Sequence, residues 1–210
     1  MTIEEMKKHE WTVSWSGGKD STATIILMHE LRIPIKEIIY VRMMWDKNIP
    51  ATLPIMTEFV DKTAEKLIEW GYKVRIVPSI KTAKELCERV YTRSSKEGYN
   101  GSCYGISSFC RGFCGMTSVK IKTIEQIKSS DYEMIGIAAD ETERLKRLTD
   151  TKQSIMATLG IKEEEVFDIC RKYNMLSPLY ELGIKREMVV GFVQTPVRER
   201  ENTFGKKTQS

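Results

Sequence analysis

Short apolar runs of strand length alternate along this chain with longer stretches whose apolar residues recur at helical spacing. Trp11 to Trp15 (WTVSW) is the first run; it stops at Ser-Gly-Gly, and Ala23, Ile26, Leu27 and Leu31 then keep helical spacing. That predicts strand, turn, helix. Glu37 to Met43 (EIIYVRM) reads as a buried strand, followed by a Pro-punctuated loop and a helix over Met56 to Trp70 that Gly71 closes. Lys73 to Val77 (KVRIV) predicts a third strand and Thr82 to Tyr91 a short helix with Leu86, Cys87 and Val90 on one face. After a polar stretch rich in Gly and Ser (92–113), the pattern returns to helix at Thr117 to Ile127, strand at Tyr132 to Ala138 and helix at Ile161 to Tyr173. Strands alternating with helices imply an α/β fold, a parallel sheet covered on both faces.

Composition narrows the setting. With 210 residues, 41% hydrophobic and 30% charged, the chain can bury one good-sized core. No stretch approaches the roughly 20 apolar residues of a membrane span. The start, MTIEEMKKHEW, carries acids where a signal peptide has its apolar region, so the expected location is the cytoplasm. A net charge of +4 suits an anionic small molecule as well as a solvated lysine-rich surface, and does not indicate nucleic acid.

The turn after the first strand carries the chemistry. In a parallel sheet such a turn aims backbone N–H groups above the carboxyl edge, where anions bind. In VSWSGGKDST the glycines permit close backbone approach, Ser16 and Ser21 offer hydroxyls and Lys19 adds charge, so phosphate is the expected ligand. It is not a Walker A loop, because Val13 and Asp20 stand where that motif needs Gly and Ser or Thr. A glycine-rich turn that merely caps a helix is the alternative.

The stretch resembles the Ser-Gly-Gly-x-Asp-Ser loop of the PP-loop ATP pyrophosphatases. Two further segments, FCGMTSVKIKTIEQI (113–127) and IGIAADETERLKRL (135–148), resemble the phosphoadenosine phosphosulfate (PAPS) reductase family, and CRKYNMLSPLYELGIKR (170–186) is similar to a subgroup of its bacterial members. The resemblance implies the Rossmann-like adenine nucleotide alpha hydrolase fold, a parallel five-stranded sheet with helices on both faces, over a domain at 1–186 with a divergent tail at 187–210. It implies that N–H groups of Gly17, Gly18 and Lys19 and the hydroxyls of Ser16 and Ser21 grip phosphates, while Asp20 braces the loop or helps hold Mg²⁺. Val41 and Met43 would present backbone to the adenine of ATP or a PAPS-like nucleotide. Lys120 and Arg144 would contact phosphate or sulfate, with Arg147 facing either the ligand or solvent. Asp140 and Glu141 would stand at the ligand edge, the alternative being that Asp140 caps a helix and Glu141 pairs with Arg144. Implied reactions are attack at the α-phosphate of ATP by an acceptor that the motifs do not specify, or chemistry on a sulfonucleotide.

Five cysteines without a secretion signal argue for thiols or metal ligands rather than disulfides. Cys103, Cys110 and Cys114 cluster in the Gly-rich stretch and could bind zinc or an iron–sulfur cluster, although Cys-x6-Cys-x3-Cys is not a strong metal signature. Cys87 reads as core. The resembling subgroup continues with a segment like Gly-Cys-Trp-Phe-Cys-Pro-Asn, where this chain has MVVGFVQTP (188–196). Without that cysteine pair, a nucleotide- or metal-binding protein that has lost catalysis is the alternative to an enzyme. MVVGFVQTP can be encoded by ATG GTT GTT GGT TTT GTC CAA ACG CCA, which two bases on reads Gly-Cys-Trp-Phe-Cys-Pro-Asn. We therefore expect the tail to be the product of a shifted frame. Sequencing the gene is the check: codons that do not spell that peptide in the second frame would leave the tail as a native extension.

Overall fold

The computed structural model describes residues 1–90, 92, 101, 103 and 115–183. A short helix α1 (Ile3–Met6) leads into β1 (Trp11–Trp15), α2 (Lys19–Glu30) and β2 (Ile35–Arg42). A hairpin of β3 (Met44–Asp46) and β4 (Ile49–Pro50) precedes α3 (Pro54–Glu69), β5 (Val74–Pro78) and α4 (Ala83–Glu88). Next come α5 (Gly115–Ile127), β6 (Glu133–Met134), α6 (Thr142–Leu145) and β7 (Lys152–Gln153). The helices α7 (Ile155–Leu159), α8 (Glu163–Lys172) and α9 (Pro178–Glu181) complete the described chain.

Five strands form one sheet in the order β5-β2-β1-β6-β7, every neighbouring pair parallel. Strand β1 is central: the chain runs outward through β2 to β5 on one side and through β6 to β7 on the other. The strand order therefore reverses between β1 and β6, and the crevice at such a reversal is where open α/β sheets bind ligands.

Burial on both sheet faces explains the strand sequences. Along β2, Ile38 and Tyr40 join the main core with Val13, Trp15 and the buried faces of α2 and α3, while Ile39 and Val41 pack with Ile124 of α5 on the opposite face. The Trp11 indole, fully buried, donates to the Met6 carbonyl at 2.8 Å, and that of Trp15 donates to the Thr22 hydroxyl of α2 at 3.0 Å. Each tryptophan thus buries its ring with its one donor satisfied, and Trp15 fixes the first turns of α2 over β1.

Three departures from the sequence pattern bear on the site. The strand expected over Tyr132–Ala138 pairs only through Glu133–Met134, because the β1 ladder gives way to the turn at residues 16–21, which packs against Gly136. Strand β7 escapes the pattern because two polar residues, Lys152 and Gln153, show no periodicity. The loop expected after β2 contains the hairpin, drawn in by the Ala51 N–H, which donates to the Met43 carbonyl at 2.8 Å.

A buried carboxylate ties the second face together. Glu37, with no exposed surface, accepts from the Ser129 N–H and hydroxyl, both at 2.7 Å, and from Arg75 at 2.9 Å; the Thr12 hydroxyl lies 3.3 Å away. Arg75 also donates to the carbonyl of Ile127, the last residue of α5. Burial opposes this charge, but the Ser129 and Arg75 hydrogen bonds outweigh it and hold the carboxyl below the ordinary Glu value. A lowered folded-state pKa gives stability that is present above the unfolded value and lost as pH falls through the folded one. Glu37→Gln should therefore cost about 1–3 kcal/mol at neutral pH by replacing charge-assisted hydrogen bonds to Ser129 and Arg75 with neutral ones. Urea unfolding should show the gap to wild type narrowing below pH 4.5, the ordinary Glu value; a gap that stays constant would refute the ionised pair.

Candidate nucleotide site

The turn leaves β1 at Ser16 and enters α2 at Lys19. Gly17 has φ +85°, a left-handed conformation that glycine adopts without strain. Ser21 fastens the turn: its hydroxyl accepts from the Ser16 N–H at 3.1 Å, lies 3.0 Å from the Ser16 hydroxyl and donates to the Gly18 carbonyl at 3.2 Å. The Gly18 N–H reaches the Ser16 hydroxyl at 3.3 Å, and the Lys19 N–H reaches the Tyr180 hydroxyl at 3.4 Å. Both contacts lie beyond the usual N–H···O range. Gly18 occupies the N-cap of α2 and provides no side-chain cap, so the first helical amides point into the crevice.

Above them opens a cavity of about 630 Å³, within the range of small-molecule sites. Ser16, Lys19, Asp20 and Ser21 form one wall; Val41 and α5 residues Thr117, Lys120 and Ile121 form another. Glu141, Arg144 and Arg147 close it from the α6 side. The Lys120 ammonium stands 5.9 Å above the Tyr40 ring. Of the residues expected to contact nucleotide, Gly17, Gly18, Met43 and Asp140 do not line this cavity and the others do.

Met43 lies away from the cavity. It is fully buried with Ala51, Ala83 and Met116, and Ala51 holds its carbonyl, so of the expected adenine contacts only Val41 reaches the pocket. Asp140 also lies outside the lining and accepts from the Glu163 N–H at 3.2 Å, satisfying the first amide of α8. Glu141 and Arg144 form the ion pair expected as an alternative, with Arg144 Nη1 2.5 and 2.7 Å from the two carboxylate oxygens. The second Arg144 nitrogen donates to the Gly136 carbonyl at 3.2 Å, so the pair braces the exit of β6 while still lining the cavity.

Lys19 is engaged inside the fold. Its ammonium, only 5% exposed, contacts Asp20 at 2.7 Å and Glu163 at 3.2 Å. Burial disfavours its charge, but those two carboxylates hold its pKa above the ordinary lysine value. Asp20 is pushed up from the ordinary Asp value, chiefly by burial and further by neighbouring Glu141, with Lys19 acting in the opposite direction. The Lys19 carbonyl accepts from Cys170 Sγ at 3.3 Å; burial raises that thiol to about 12, so it is a packing group rather than a nucleophile.

Cys110 and Cys114 lie outside the described residues, as does the tail at 187–210. Cys103 is exposed, Cys87 is half-buried rather than core, and among the described residues no three His, Cys, Asp or Glu side chains are grouped to hold a metal ion. Asp20 and Glu141 are hard oxygen donors of the kind Mg²⁺ takes, both on this cavity, and each is paired with a cation, Lys19 and Arg144 respectively.

A PAPS reductase from Candida auris, in a phosphate complex, matches this structure with a TM-score of 0.52 over 90% of this chain and 88% of that one, at 9% sequence identity. The chain has the PAPS reductase fold. The U34-tRNA thiolase NcsA from Methanococcus maripaludis, solved with its [4Fe-4S] cluster, is also similar, with a TM-score of 0.47 and 19% identity over 82% of this chain. The chain spans 62% of that thiolase's length. By sequence, no family model and no curated protein matches. Among the described residues, no helix is long and apolar enough to cross a membrane.

Within the PAPS reductase fold seen here, sequence reasoning missed Gly136, Glu163 and Tyr180. The resembling segments contained Gly136 and Tyr180, but nothing local marks a contact made across more than a hundred residues. A Cβ on Gly136 would stand 2.6 Å from both the Asp20 carbonyl carbon and the Ser21 nitrogen. Backbone cannot yield as a flexible side chain does. Gly136→Ala should therefore cost about 1–3 kcal/mol, the usual range for overpacking, by displacing the turn. Thermal unfolding tests this; a wild-type unfolding temperature would show that the turn is not held by this approach.

Proposed function

We propose that the chain is an adenine-nucleotide-binding PP-loop enzyme of the PAPS reductase family that acts at the α-phosphate of ATP. The observation that carries this reading is the turn at 16–21: outward-facing amides at the N-terminus of α2, at the strand-order reversal, opening into a cavity of about 630 Å³. The loop amides and the Ser16 and Ser21 hydroxyls take the β- and γ-phosphates. Lys120 and Arg144, on the other walls, take the α-phosphate or the group attached to it. Val41 lies where the base would pack.

In the reaction, an acceptor oxygen attacks the α-phosphorus and the bond to the bridging oxygen of the β-phosphate breaks. Pyrophosphate leaves with the electron pair, the acceptor keeps the adenylate and its proton passes to solvent. The chain's part is electrostatic: fixed amide dipoles and cations stabilise the charge that grows on the leaving pyrophosphate. Mg²⁺, held by Asp20 and Glu141 with the phosphates, would neutralise part of that charge. A sulfonucleotide offers the same adenosine and phosphate features, with sulfate in place of the outer phosphates, and is the competing substrate for this site.

A binding panel of ATP, adenosine phosphosulfate and PAPS, run with Mg²⁺ and followed by a pyrophosphate-release assay, tests the reading. ATP should bind and pyrophosphate should appear once an acceptor is supplied. Gly18→Val, at the N-cap of α2 with φ −88°, adds a branched side chain to the turn itself and should weaken ATP binding about tenfold or more. PAPS binding with no ATP binding would move the assignment to a sulfonucleotide. Binding by none of the three would end it.

A further inference from the structure

Lys19 joins the turn to the last described helices through three separate groups. Its N–H meets the Tyr180 hydroxyl, its carbonyl meets Cys170 and its ammonium meets Glu163. Cys170 is a buried thiol outside the cavity, whereas Glu163 and Tyr180 both line it. Glu163 is an anion that pairs with the Lys19 ammonium and would repel phosphate; Tyr180 brings a neutral hydroxyl to the Lys19 N–H.

We propose that Tyr180 is a ligand of the bound nucleotide's phosphates. The proposal rests on the reading of the 16–21 turn as a phosphate site and adds a side chain that the turn itself does not contain. A phosphate oxygen that accepts from the Lys19 N–H must lie about 2.7–3.2 Å from that nitrogen. The phenol oxygen is already 3.4 Å from the same nitrogen and on the side its N–H faces, so a phosphate oxygen bound along that N–H would come within hydrogen-bond reach of the phenol. A phenol can both accept and donate. In the free protein it accepts from the Lys19 amide; with phosphate present it turns its proton to the anion while the amide bonds to phosphate. The long contact in the free protein leaves that amide ready to accept the exchange.

The ring is built to hold that position. Pro178 begins α9, Leu179 is 1% exposed and the neighbouring Ser177 hydroxyl donates to the Met56 sulfur at 3.1 Å. Phe167 meets the Tyr180 ring edge to face at 5.2 Å, and the Lys19 ammonium stands 5.4 Å from the Phe167 centroid. The lysine beside the anion site thus supports, through Phe167, the ring whose hydroxyl faces that site.

The test uses the full chain and three probes measured by calorimetry: inorganic pyrophosphate, ATP and adenosine. Tyr180→Phe keeps the ring and its contact with Phe167 and removes only the hydroxyl. Its Kd for pyrophosphate and for ATP should rise about tenfold, as expected for losing one hydrogen bond to a charged group. Its affinity for adenosine should match wild type, and its unfolding temperature without ligand should fall only by the little that one long hydrogen bond contributes. Unchanged pyrophosphate and ATP binding, or an equal loss for adenosine, overturns the proposal while leaving the nucleotide site standing. Wild-type protein that binds neither pyrophosphate nor ATP overturns both. A measurement on wild type alone guards against a variant that fails to fold: the Tyr180 ring resonance should shift on adding pyrophosphate and not on adding adenosine, and a resonance unmoved by pyrophosphate overturns the proposal.

Discussion

The site is organised around the contact between the exit of β6 at Gly136 and the first turn of α2. With no side chain at Gly136, the backbone of one element lies directly on the backbone of the other. The contact also begins a closed circuit. The Gly136 carbonyl takes Arg144, Arg144 holds Glu141, and the adjacent Asp140 secures the start of α8 at Glu163. Glu163 reaches the Lys19 ammonium, which returns the path to α2. A turn rich in glycine is entropically expensive to order; a circuit of contacts from three parts of the chain supplies the constraint that the turn lacks.

The other wall of the cavity depends on a different device. Helix α5, which carries Lys120, is fastened at its C-terminal end by the carboxylate of Glu37 and the guanidinium of Arg75. Buried ion pairs are seldom large net stabilisers, since desolvation consumes much of their attraction. Here the pair also satisfies Ser129 and the final carbonyl of α5, so its directional bonds set where the helix ends. Position, more than stability, is what the cavity gains.

Much of this architecture was legible in advance because its strands and long helices are buried on predictable faces. The run EIIYVR read as a buried strand and lies in β2, second from one edge of the sheet, and the helix expected from Thr82 begins as α4. The turn at 16–21 was legible as a turn because its glycines and serines perform local work. What escaped was either very short or very distant. Two-residue β7 carries no period, the hairpin depends on one bond from Ala51 to Met43, and Asp140 pairs with an amide 23 residues away. Lys19 reads as a phosphate cation by type, yet folding directs its ammonium to Asp20 and Glu163. No property of residue 19 or its neighbours announces those partners.

The ties from Lys19 to Cys170 and Tyr180 span 151 and 161 residues. Contacts of such sequence separation close large loops of chain before they return any energy, and they form late in folding. On the ribosome the turn emerges early, but the groups that complete its surroundings are synthesised more than a hundred residues afterwards. An incomplete chain therefore presents the glycine turn without its supports.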